Sequence, residues 1–398
     1  MFPTPCTSVW SSLGNAFVTA TELFIEQHAG DDITRLALQR NRYPGVDIDF
    51  ALRQIEGRQR TKDKLSAISH IAGWHYPQRL GLEQCSSEPT ARYKSALLQG
   101  DTLTDLTGGF GIDTFFLSER FRLTHYVERQ TELCDIARHN FALTDRSVEV
   151  HNMDSVDYLA AMPKVDCIYL DPARRSASGN KVFRLEDCEP DVTAIYTLLR
   201  QKCDTLLLKL SPMLDIAAAL QALPHAAEVH VLSVKGEVKE TLVLCRFPDT
   251  VPLRICAVNL LHDGQQTFSF LPDEEKNAVP TYAKELCTYL YEPNLSILKA
   301  GAFRTVAVRF GLWKLGVNTH LYTADRLLPD FPGRIFRLLP LPDKKALRCQ
   351  AFHVITRNYP QATDVLRRQL KIHEGGDNYL IGTRIADRPV LLMAERIS

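Results

Sequence analysis

From about residue 100 the chain alternates two patterns. Short, almost continuous apolar runs are separated by stretches whose apolar positions recur at helical spacing. The runs predict strands over 102–106, 124–128, 148–152, 166–170 and 205–210. The helical spacing predicts helices over 112–120, 131–141, 191–202 and 214–223. Such alternation implies an α/β fold, a mostly parallel sheet covered by helices on both faces. The block ends differently. A strand over 228–234, a turn at Lys235-Gly236 and a strand over 240–247 read as a hairpin, so the last strand is antiparallel to its neighbours.

The flanks have other patterns. In residues 1–85, Ile33, Leu36 and Leu38 precede a Pro44-Gly45 break, and Phe50, Leu52, Ile55, Leu65, Ile68 and Ile71 lead to Trp74. This predicts a helical N-terminal region. Beyond Pro248, a strand over 253–260, a charge run over 273–276, a helix over 361–372 and strands over 379–385 and 390–395 predict a separate α+β domain. The expected domains are therefore 1–85, 86–249 and 250–398.

Composition adds little until it is localised. The chain has 398 residues, with 47 Lys and Arg against 47 Asp and Glu, so any basic surface must be local. Ten cysteines are scattered without a CxxC pair, which fits reduced thiols in a cytoplasmic protein. No apolar run is long enough for a membrane span, and the N-terminus lacks a signal-peptide pattern. His70 and His75 have no cysteine or carboxylate at ligand spacing, so no metal is expected. Between Lys299 and Lys371 there are 14 Lys and Arg, 4 Asp and no Glu, a local balance of 14 − 4 = +10. Phe303, Phe310, Trp313, Tyr322, Phe331, Phe336, Phe352 and Tyr359 are interleaved. That is the footprint of an RNA-binding surface, or of a domain core with a solvated basic face.

Two strand ends carry candidate chemistry. The first is Asp105-Leu106-Thr107-Gly108-Gly109-Phe110-Gly111, where a strand hands over to a helix. Glycines let backbone approach a ligand closely, at the carboxyl edge of a sheet. Glu128 ends the next strand, placed to accept hydrogen bonds from two ribose hydroxyls. A GxGxxG dinucleotide reading fails at its third glycine, where Thr114 stands. Asp105 suits the cationic methionyl end of S-adenosylmethionine (SAM) better than a pyrophosphate. Asp105, Thr107, Gly108, Gly109, Phe110, Gly111 and Glu128 are the candidate SAM-binding residues. Asp154 either receives the adenine amino group or caps the helix that follows. Asp113, at the head of the first helix, is similarly open. Arg92 or Lys94 either meets the SAM carboxylate or belongs to a plain helix.

The second strand end is Asp171-Pro172-Ala173-Arg174. It resembles the (Asp/Asn)-Pro-Pro-aromatic motif of amino-methylating enzymes and the Asp-Pro-Pro-Arg of some RNA methyltransferases. Asp171, Pro172 and Arg174 are the candidate catalytic residues, with Asp171 and the following carbonyls orienting an acceptor nitrogen. Carbon methylation of pyrimidines usually needs a cysteine near the fifth strand, and none stands there. Lys209 either faces the site or marks the end of that strand. A polar loop over 176–181, with Phe183 and Arg184, either closes over substrate or has no role.

Four stretches together carry a family resemblance: SSEPTARYKSAL, LTDLTGGFGIDTFFLS, YLDPARR…KVFRLEDCEPD and YLYEPNLSILKAGAF…GVNTHLYTADRLLPDFPGR. From about residue 60 the chain resembles class I SAM-dependent methyltransferases with a C-terminal THUMP-like domain, found in Bacteroidetes. The resemblance implies a seven-stranded sheet with a reversed last strand, SAM as cofactor and RNA as partner. THUMP domains proper belong to RNA-modifying enzymes and usually precede the catalytic domain.

Overall fold

The structure, a computed structural model, describes residues 19–174, 184–248 and 251–397. The loop residues expected at 176–183 lie outside the described residues, as does the side chain of Arg174. Nine longer strands come first: β1 (Thr102–Asp105), β2 (Leu123–Glu128), β3 (Val148–Asn152), β4 (Val165–Leu170), β5 (Cys203–Leu210), β6 (Ala226–Val234), β7 (Glu237–Arg246), β8 (Arg254–Leu261) and β9 (Gly264–Phe270). Seven more follow: β10 (Tyr289–Pro293), β11 (Trp313–Gly316), β12 (Thr319–Ala324), β13 (Gly333–Leu339), β14 (Ala351–Thr356), β15 (His373–Ile385) and β16 (Arg388–Arg396). The chain forms two compact units, residues 19–101 with 108–154, and residues 102–107 with those from 155 onward.

In the first unit β2 and β3 pair in parallel, with Thr124 opposite Val148 and Glu128 opposite Asn152. The helix Thr131–Ala142 connects them. The expected N-terminal helical region does not stand apart. Leu65, Ile68, Trp74, Tyr76 and Leu82 share one core with Phe110, Phe115, Phe116, Tyr126 and Phe141. Trp74 meets Phe115 edge-on at 5.5 Å. Gly57, inside the helix Ile48–Thr61, lets that helix lie against Tyr76, where a Cβ would come within 2.4 Å of the side chain.

The second unit carries the strand order β9-β8-β6-β7-β5-β4-β1. β1, β4 and β5 are parallel. β7 is antiparallel to both β5 and β6, as the hairpin pattern required. Lys235 (φ 51°) and Gly236 (φ 75°) make its turn in the left-handed region, the geometry that matches strand twist. The helix Val192–Lys202 starts at Asp191, whose carboxylate accepts the Thr193 and Ala194 N–H groups. Leu206, Leu207 and Leu208 are all buried, so β5 is covered on both faces.

The sheet runs past the boundary expected at 249/250. β8 pairs in parallel with β6 and antiparallel with β9, so residues through Phe270 extend it. A second sheet begins at β10, in the order β11-β12-β10-β13-β16-β15-β14. All its pairs are antiparallel except β14 with β15. Leu290, Leu321, Phe336, Ile381 and Ala394 fill its core. Among the described residues no helix is long and apolar enough to cross a membrane.

Candidate active site

In the first unit the glycine turn is built around Tyr126. A Cβ on Gly108 would lie 2.2, 2.4 and 2.6 Å from three atoms of that ring. The tyrosine hydroxyl donates to the Gly109 carbonyl at 2.5 Å, and the Gly108 N–H donates to the Val127 carbonyl at 2.9 Å. Gly109 (φ 54°) and Gly111 (φ 84°) sit in the left-handed region. The turn is thus a backbone cradle packed on the Tyr126 ring, close enough that Gly108 can carry no side chain.

Glu128 ends β2 beside it. Its Oε2 accepts the Gly109 N–H at 3.1 Å and its Oε1 accepts the Gln130 N–H at 2.9 Å. A carboxylate oxygen has two lone pairs, so Glu128 is held in place with acceptor capacity left for a pair of hydroxyls. Cradle and fixed carboxylate fit the nucleoside end of SAM. Asp154 is exposed, just beyond β3 and one residue before the helix Ser155–Ala161.

Three other residues expected at the cofactor are occupied elsewhere. Asp113 pairs with the fully buried Lys94 at 2.9 Å and accepts from Ser86 at 2.8 Å. Lys94 also donates to Ser86 at 2.7 Å. This buried triad joins the helix Glu88–Leu97 to the helix Ile112–Leu117, so Asp113 and Lys94 serve the scaffold. Arg92 pairs with Glu88 and covers the Phe116 ring. Phe110 is buried in the hydrophobic core, so of this residue only backbone is offered to a ligand. His75 stacks on His139 at 3.6 Å, and burial, followed by the nearby His139 charge, holds it down at about 4.

In the second unit Asp105 is fully buried at the end of β1 and accepts the Thr107 N–H at 2.9 Å. Thr107 is more than a spacer. Its hydroxyl accepts the Asp171 N–H at 2.7 Å, tying the end of β1 to the Asp171-Pro172 loop. On the other side Lys209, from β5, donates to Asp171 Oδ2 at 2.5 Å. Lys209 therefore faces the site, and sequence pattern alone left this open. Ala173–Arg174 pairs antiparallel with Cys188–Glu189, which pins the loop beyond Pro172. The side chain of Cys203 is buried at the start of β5, and burial pushes its thiol far up. It lies at the other end of β5 from Lys209. Every cysteine among the described residues is free.

The basic C-terminal stretch is less cationic than its window suggested, because acids outside the window neutralise it. Glu292 is held by Arg357 at 2.7 Å and Arg334 at 2.8 Å. Glu274 takes Arg309, Glu395 takes Arg337, and Glu374 takes Arg367. Lys314 is buried, and its ammonium donates to the Val317 and Thr319 carbonyls. Lys344, Lys345, Arg348 and Lys371 remain exposed. They are held near each other where the Cys349 N–H bonds the Lys371 carbonyl at 2.9 Å. Half of the eight interleaved aromatics turn out to be core. Tyr322, Phe331, Phe336 and Phe352 are buried, while Trp313 is 46% exposed.

Comparison with known proteins places this architecture. Residues 289–332 match a ferredoxin-like domain family, and residues 335–396 match a THUMP domain-like family. The crystal structure of a candidate methyltransferase from Porphyromonas gingivalis W83 is similar at a TM-score of 0.86 and 35% identity, covering 96% of this chain and 98% of that one. Two proteins described as uncharacterised S-adenosylmethionine-dependent methyltransferases, from Mycobacterium tuberculosis strains CDC 1551 and H37Rv, are each 25% identical over 338 residues. That is 82% of this chain and 90% of each relative.

Proposed function

The chain belongs to the SAM-dependent methyltransferases with a C-terminal THUMP-like domain, and on that premise we propose a cytoplasmic enzyme that methylates a nitrogen of a base in structured RNA. SAM supplies a methyl group already activated by its sulfonium charge, so the protein's task is mainly positioning. The backbone of Gly108, Gly109 and Gly111, with Asp105, Glu128 and Asp154, holds the cofactor in this reading. Asp171 then orients the acceptor.

The observation that carries the reading is the fixing of Asp171. Lys209 engages Oδ2 and Thr107 holds the backbone N–H, so among the described residues Oδ1 is left to accept a hydrogen bond from an amino or ring N–H. A hydrogen bond there aligns the nitrogen lone pair for attack. Cys203 stands at the start of β5, away from Lys209, so no cysteine of that strand lies at its Asp171 end, which favours nitrogen over a pyrimidine carbon as the acceptor atom. RNA is supported by the THUMP-like region and by the exposed Lys344, Lys345, Arg348 and Lys371. Contacts from such groups to phosphate would be salt-sensitive and independent of sequence.

The test uses methyl-labelled SAM with total RNA from a bacterium that lacks the gene, followed by nucleoside analysis. The expected result is label in an N-methylated base, lost in Asp171→Ala although that variant still binds SAM. Label in protein or in small amines, with none in RNA, would refute the RNA substrate.

A further inference from the structure

β2 and β3 bring together three side chains that the methyl-transfer site does not use. His125 lies opposite Glu149 in the parallel ladder, and His151 is two residues further along β3. Alternation along a strand puts all three on one face. The opposite face, with Tyr126, Val148 and Val150, packs on the hydrophobic core.

The donor atoms converge. His125 Nδ1 is 3.2 Å from His151 Nε2 and 3.3 Å from Glu149 Oε2, and the last two atoms are 3.9 Å apart. A triangle with these sides has a centre about 2.0 Å from every corner, the length of zinc bonds to imidazole nitrogen and carboxylate oxygen, ~2.0–2.2 Å. A pairwise hydrogen bond between the two rings would not require Glu149 Oε2 to close the same triangle.

The geometry points to a divalent transition-metal site, with zinc as the fitting ion and His125, Glu149 and His151 as its ligands. Two imidazoles and one carboxylate are an established zinc donor set that leaves a fourth position open. Glu149 is 57% exposed and His151 30%, so that position is reached from solvent and filled by water. The ion bridges β2 to β3 three residues before Glu128, and so braces the ladder that carries the ribose-binding carboxylate. The site is independent of the RNA assignment.

The experiment uses the full chain, stripped with chelator and titrated with zinc by calorimetry and with cobalt by visible absorption. Wild type should bind zinc at micromolar or tighter affinity, and cobalt should give the intense visible bands of a low-coordinate nitrogen and oxygen site. His151→Ala should lose one equivalent. Glu149→Gln, at an exposed position, should keep the wild-type melting temperature and weaken binding at least tenfold. Cys256→Ser should change nothing, which separates this site from the second cluster of Glu228, His230 and Cys256. Failure of wild type to bind zinc at millimolar concentration would overturn the proposal. So would equal binding by wild type and Glu149→Gln, or a thiolate-to-cobalt band that disappears in Cys256→Ser.

Discussion

Gly108→Ala is the sharpest test of the cofactor cradle. The added methyl would stand 2.2–2.6 Å from three Tyr126 ring atoms, well inside contact distance. The ring cannot retreat easily. Tyr126 is fully buried, meets Phe141 edge-on at 6.1 Å and is tethered by its hydroxyl to Gly109. Overpacking of this kind costs about 1–3 kcal/mol. If the turn moves instead of the ring, the cost falls on ligand binding, a loss of roughly five- to 150-fold in SAM affinity at 1.4 kcal/mol per decade. Gly111→Ala should be milder: its Cβ would meet Phe141 at an ordinary 3.4 Å, and the penalty is the left-handed φ of 84°, about 1–2 kcal/mol. Calorimetric SAM titration with thermal melting of each variant reads both terms. Placing Gly108→Ala in a Tyr126→Leu background should recover part of the loss, a coupling of about 0.5–3 kcal/mol for residues in contact. Wild-type affinity and melting in Gly108→Ala would refute the cradle argument, and so would a double variant that recovers nothing.

Four further outcomes follow from the same geometry. Glu128→Gln should weaken SAM about ten- to 100-fold, since charge-assisted hydrogen bonds are worth about 1.5–3 kcal/mol; unchanged affinity by calorimetry would remove Glu128 from the site. Lys209→Met should lower kcat with SAM affinity preserved, because it frees the Asp171 carboxylate from its 2.5 Å partner; a loss of SAM binding instead would assign Lys209 to the cofactor. Glu292→Gln should destabilise the C-terminal sheet by about 1.5–3 kcal/mol in a denaturant melt, the worth of a hydrogen bond to a charged group, because Glu292 is buried while its partners Arg334 and Arg357 keep part of their side chains in water. His75 and His320 are each held at about 4 chiefly by burial, against 6.5 in the unfolded chain. On acidification the unfolded chain takes up protons first, so melting temperature should fall between pH 6.5 and 4 and level off below, and His75→Phe should flatten that slope.

What the sequence disclosed and what it hid divide along a physical line. Strands buried on both faces, such as β4 and β5, announce themselves by composition, so their positions were legible to within a few residues. The reversed β7 was legible because a two-residue turn at Lys235-Gly236 fixes its partner locally. Partners set by distant contacts were not. The run at 253–260 was recognisable as a strand, but nothing in it says that β8 joins β6 rather than the second sheet. The link between Lys209 and Asp171 spans 38 residues, and a lysine at a strand end usually means an end. Asp113 looked like a ligand because its place is right, yet Lys94, buried on a neighbouring helix, claims it. Charge counting over one window overstated the basic surface for the same reason. Glu274, Glu292, Glu374 and Glu395 lie outside the window but against its arginines, and a surface field depends on neighbours in space. A search by ligand spacing likewise passes over His125, Glu149 and His151, because only the β2–β3 register makes neighbours of residues so far apart in the chain. The catalytic loop shows both sides at once. Asp171-Pro172 is a local signal that points to an acceptor site. The groups that make it rigid, Thr107 just beyond β1 and Lys209 on β5, come from the two strands beside β4 and are set by the sheet order.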